Sequence, residues 1–206
     1  MTPHADEHER LIQGLAADLR PVRRLRPPGL RALAWLAAVG ASAAALAAVS
    51  DLGAVRDRLA AAPDMWLALA GSAATAVLAA VAAFQLSLPD WRPAWALLPL
   101  PAAALWFAAS GLGCLRSWTL PGVHPASLSD TMDCLAFIVG FSVPLSALLV
   151  LMLRRAATLQ PGLTAAMAGL AAAAAAATLL TVVHPYDASA VDLFAFNTCA
   201  GWKRER

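Results

Sequence analysis

The chain has 206 residues, 60% of them hydrophobic and 14% charged, with a formal net charge of +2 and a mean hydropathy of +0.65. That composition excludes an ordinary water-soluble domain. Membrane spans of about 20 residues each consume most of the length and leave little for a separate catalytic domain. Function is therefore expected in the ends, the loops or the interior of a helical bundle.

The first element is a polar segment of about 27 residues before any apolar run. Leu11, Leu15, Leu19 and Val22 recur at spacings of four, four and three, with Ile12 beside them, while Glu7, Glu9, Arg10, Asp18 and Arg20 fill other positions. This predicts a short amphipathic helix with one apolar stripe. Pro21 is expected to end or bend it, and the stretch from Arg23 and Arg24 to Pro28 then leads, extended, toward the membrane. About three turns of helix are marginal in water, so the stripe needs a surface. Three are open to it: the bilayer, the protein's own loops, or a groove on a soluble partner.

Five transmembrane helices follow: Leu30 to Ser50, Met65 to Leu88, Ala94 to Gly111, Cys134 to Leu153 and Leu163 to Val183. Lipid leaves only helices or closed barrels for a spanning backbone, and uninterrupted apolar runs of this length predict helices. A charged segment, Asp51 to Asp64, joins the first two, and a five-residue turn, Pro89 to Pro93, joins the second and third. A longer polar loop reaches Asp133, and Pro161 and Gly162 break the chain before the fifth span. Residues Pro185 to Trp202 are a sixth candidate, short and interrupted by Asp187, Asp192 and Asn197, and followed by Lys203, Arg204 and Arg206. Pro99, Pro101 and Pro144 fall inside predicted spans, either as ordinary membrane-helix prolines or as hinges. Gln85, serines and threonines are the polar groups expected within the spans.

Arginine placement predicts the sidedness, because basic residues near span ends stay in the cytoplasm. With the N-terminus inside, nine arginines (10, 20, 23, 24, 26, 31, 92, 154 and 155) are cytoplasmic and three (56, 58 and 116) lie outside, up to the end of the fifth span. The expectation is a multi-pass protein of the bacterial inner membrane, N-terminus in the cytoplasm. The first span is not a cleaved signal peptide, since it is too long, starts some thirty residues in and is followed by others.

On that topology Cys114, His124, Cys134 and His184 all face outward, with Asp130, Asp133 and Asp187. Thiolate, imidazole and carboxylate suit a soft or borderline divalent metal, and Cys134 and His184 are the candidate metal ligands. Each residue alone is also compatible with a plain role, a small buried cysteine or a loop histidine. A Cys114–Cys134 disulfide is a third possibility in an oxidising compartment. No phosphate-binding loop, nucleophile motif or zinc-protease signature occurs, so no catalysis and no cofactor are expected.

The stretches LIQGLAADLRPVRRLRPP (Leu11 to Pro28), GLGCLRSWTLPGVHPASLSDTMDC (Gly111 to Cys134), PLSALLVLMLRR (Pro144 to Arg155) and TVVHPYD (Thr181 to Asp187) resemble the NrsF-like family of multi-span membrane anti-sigma factors. The resemblance implies a regulator that holds an extracytoplasmic-function sigma factor inactive at the membrane and has no direct nucleic-acid contact. It implies that the N-terminal segment, with Leu11, Ile12, Leu15, Leu19, Val22, Arg23 and Arg24, contacts the sigma factor. Outer cysteines are implicated in responding to heavy-metal stress, with Cys134 matching the first of them. The chain reads His184 and Pro185 where members carry a second cysteine, and its ending NTCAGWKRER departs from the family's apolar final helix.

The resulting expectation is an all-α polytopic bundle in three parts: a cytoplasmic partner-binding segment (1–28), a transmembrane domain (29–193) and an atypical tail (194–206). Its function is sequestration of the sigma factor and release on heavy-metal or redox stress. A small transporter or channel component is the alternative, which ionisable residues buried at mid-span would favour.

Overall fold

A computed structural model of the protein describes residues 3–17, 26–61, 63–88, 92–119, 128–154, 156 and 160–183. Among these the regular structure is entirely helical: α1 (Pro3–Ala17), α2 (Pro28–Val49), α3 (Leu52–Ala61), α4 (Pro63–Leu86), a 3-10 turn (Pro93–Leu97), α5 (Leu100–Thr119), α6 (Leu128–Leu153) and α7 (Pro161–Val183). Five stretches are long and apolar enough to cross a membrane, in α2, α4, the 3-10 turn with α5, α6 and α7. The five expected spans are thus present; Pro185 to Trp202, the sixth candidate, lies outside the described residues.

Prolines set several of these starts, since a first-turn proline gives up no helical hydrogen bond. Pro28 opens α2, with the Leu30 and Arg31 amides donating to Pro27 O. Pro161 opens α7 and does not merely break the chain: the Thr164 amide donates to Gln160 O at 3.1 Å. Pro99 and Pro101 fall within the third span-length stretch, Pro93–Leu112. They stand where the 3-10 turn passes into α5, a junction at which missing amides cost little. Pro144 does lie inside α6.

The connections between the long helices hold further helix. In the charged segment after α2, Asp51 accepts hydrogen bonds through Oδ1 from the Gly53 and Ala54 amides and so caps the ten-residue α3. The polar loop expected from Gly111 to Asp133 is mostly helix: α5 continues to Thr119 and α6 begins at Leu128. At 26 residues α6 is roughly 39 Å long, more than a hydrocarbon core requires, and its span-like apolar stretch is Ala136–Leu153.

The antiparallel pair α4 and α7 forms the centre, with α5 against α4, α6 against α7, and α2 touching α4, α6 and α7. Small residues make this possible. Ala76, Ala79, Ala80 and Ala83 on α4 and Ala168, Ala171, Ala172 and Ala175 on α7 are buried, and they let the two backbones approach closely. The Ser72 and Thr178 hydroxyls meet at 3.0 Å and tie the pair together. Larger groups close the near end, where the chain enters α2: Trp35, Phe84, Leu149 and Leu153 are buried there.

Candidate functional site

α1 carries the residues expected to meet a partner. Leu11 and Leu15, one turn apart, share a face, and Ile12 widens it. Among the described residues nothing covers them: Leu11 is 63%, Ile12 59% and Leu15 64% exposed, and every described side chain from Glu7 to Ala17 is exposed. The helix starts earlier than the stripe predicts, at Pro3, and is described as far as Ala17. Leu19, Val22, Arg23 and Arg24, the other expected contacts, lie outside the described residues.

At the near end of the bundle is a polar cluster. Arg31, in the first turn of α2, is only 7% exposed. Its Nη2 donates to Met152 O near the end of α6, and its guanidinium carbon sits 5.1 Å from the centroid of the Phe84 ring on α4. The Ala156 amide, the α-helical donor for Met152 O, bonds to Leu153 O instead. A cation also belongs there, since the C-terminal end of a helix carries partial negative charge. One turn along α2, the buried Trp35 donates from Nε1 to Leu145 O at 3.0 Å. Nearby, Thr164 Oγ1 lies within 3.4 Å of Leu86 O, and Ser87 Oγ donates to Phe84 O.

This cluster corrects the expectation that Gln85, serine and threonine are the only polar groups within the spans. Arg31 had the appearance of one more basic residue flanking a span; its four-residue offset from Trp35 was the available signal that both share one face. Gln85 is present too, with Oε1 buried and without a hydrogen-bond partner.

The expected sensing residues separate into two groups. Cys114 falls in the latter part of α5 and Cys134 in the second turn of α6, both toward the far end of the bundle, opposite Arg31. His124 and His184, like the side chains of both cysteines, lie outside the residues whose surroundings are described. Among the described residues no group of three or more His, Cys, Asp or Glu side chains is placed to hold a metal.

Comparison with known proteins gives one result. The model of a family described as NrsF, negative regulator of sigma F, matches residues 15–193. No curated protein and no solved structure matches the chain.

Proposed function

The chain belongs to the NrsF family of negative regulators of sigma F, and from that premise we propose that it holds an extracytoplasmic-function sigma factor inactive at the bacterial inner membrane. The hold is made by the N-terminal segment, residues 1–28, and residues 29–193 anchor it. The observation that carries this reading is the bare apolar stripe on α1: Leu11, Ile12 and Leu15 are exposed although an apolar face on a short helix is stable only when covered. A groove on a soluble partner supplies that cover.

Sidedness follows from charge. The near end of the bundle carries four described arginines, Arg26, Arg31, Arg92 and Arg154, whereas the far end carries three, Arg56, Arg58 and Arg116, among Asp51, Asp57, Asp64, Asp130 and Asp133. The larger share of arginines at the near end supports reading it as the cytoplasmic side, the compartment in which a sigma factor works. The far end is then periplasmic, and Cys114, Cys134, His124 and His184 receive the heavy-metal or redox signal there, with Cys134 as the principal receptor. A transport pathway finds no comparable support, since Arg31, the one ionisable side chain buried among the described residues, sits at the bundle end against Phe84 and Met152.

Co-purification tests the reading. Full-length protein extracted in detergent is expected to bring down an extracytoplasmic-function sigma factor, and Leu11→Asp with Leu15→Asp is expected to weaken that capture roughly thirtyfold or more while membrane insertion stays normal. Undiminished capture by the double variant would leave the stripe with the bilayer as its surface.

A further inference from the structure

The helix that carries the partner-binding segment into the bundle is fastened to one other helix by two side chains. Arg31 and Trp35 lie one turn apart on α2, and their acceptors, Met152 O and Leu145 O, lie two turns apart on the inner half of α6. Both bonds are long-range in sequence and both end on backbone, so they report the position of the α6 main chain itself. Phe84 backs the guanidinium from α4 and keeps it over the end of α6.

The acceptor helix has a weak point immediately before the clamp. Pro144 has no amide hydrogen, so Gly140 O lacks its helical donor, and α6 is divided into an outer part bearing Cys134 and an inner part bearing Leu145 and Met152. The clamp itself is incomplete. Arg31 Nη1 is buried without a hydrogen-bond partner, a cost to the closed arrangement that makes it easier to open.

We propose that Arg31 and Trp35 are positioning residues that lock α2 to the inner half of α6, so that an event at the outer end of α6 reaches the partner-binding segment through this clamp. The proposal rests on the reading of α1 as the sigma-binding helix. Flexing at Pro144 moves the Leu145 and Met152 carbonyls, strains or releases the two bonds on α2, and changes the setting from which the N-terminal segment holds its partner. An element with two arrangements, biased from one end and read at the other, is what coupling between distant sites requires.

The test uses the full chain in lipid nanodiscs, with keto-amino-acid spin labels at Leu33 and Leu151, exposed positions on α2 and α6. A control pair occupies Leu67 and Leu105, exposed on α4 and α5. Affinity is measured for the extracytoplasmic-function sigma factor that co-purifies with the full chain. Arg31→Met with Trp35→Phe is expected to broaden the 33–151 distance distribution, leave the 67–105 distribution unchanged, and weaken sigma-factor binding roughly fivefold or more. Arg31→Lys, which keeps a donor and the charge, is expected to recover much of both effects. Thr178→Val removes a hydroxyl linking α4 and α7 and is expected to change neither. An unaltered 33–151 distribution, unaltered affinity, or an equal effect from Thr178→Val would overturn the proposal. If the wild-type chain binds no sigma factor, the partner reading fails and the coupling with it, while the distances alone decide whether the clamp exists.

Discussion

Gly71 on α4 lies against the backbone of Trp106 on α5 so closely that a Cβ at residue 71 would stand 2.8 Å from Trp106 N and 2.9 Å from Trp106 Cα. The opposing atoms are main chain and cannot swing aside. Gly71→Ala is therefore expected to force α4 and α5 apart and to destabilise the bundle by about 2 kcal/mol or more. Thermal unfolding in detergent measures it, and an unchanged midpoint would show that the two helices are not this close.

Thr178→Val should have a far smaller effect. The variant keeps the volume and loses the hydroxyl's bond to Ala174 O at 2.8 Å, within α7, together with its 3.0 Å contact with Ser72. Interhelical hydrogen bonds in membrane proteins are worth about 0.6 kcal/mol on average. The same unfolding measurement is expected to separate this variant from Gly71→Ala by a wide margin.

Reporter fusions check the sidedness. A fusion after Arg155 is expected to report cytoplasm, and one within residues 120–127 is expected to report periplasm, because the described arginines of the near end outnumber those of the far end. The reverse result would move the cysteines inside and end their assignment as periplasmic receptors.

For the signal, Cys134→Ser is expected to uncouple cadmium or oxidant exposure from sigma-factor release, as serine keeps the size but loses the thiolate. His184→Ala is expected to weaken the response less. Cys114→Ser discriminates mechanisms: a disulfide switch makes it mimic Cys134→Ser, whereas a metal site of Cys134 and His184 leaves it near normal. Release that survives all three substitutions would reduce these residues to structural ones.

The membrane-crossing architecture was legible because it rests on length and hydropathy, which are local. Met65 to Leu88 was expected for what proves to be Pro63–Leu86, and Leu30 to Ser50 for Pro28–Val49. What escaped depends on tertiary or capping detail. The helix within the charged run after Asp51 carries no long apolar period, and it starts where the Asp51 side chain accepts two amides. Arg31 was counted for its charge alone, because burial requires knowing that a carbonyl of α6 and a ring of α4 meet it there. The amphipathic stripe was visible from its spacing; that α1 begins at Pro3, well before it, was not, since the polar residues around it carry no apolar period.

The pairing of Arg31 with Met152 also fixes an order of assembly. The two residues are 121 positions apart, so at about 5–20 residues per second a ribosome needs roughly 6–24 s to deliver the acceptor after the donor. During that interval the guanidinium has no carbonyl to bind and extends its charged tip toward the membrane surface, as long basic side chains near helix ends do. The first span of the nascent chain thus carries at its Arg31 end a charge that is withdrawn into the bundle only when the fourth span has arrived.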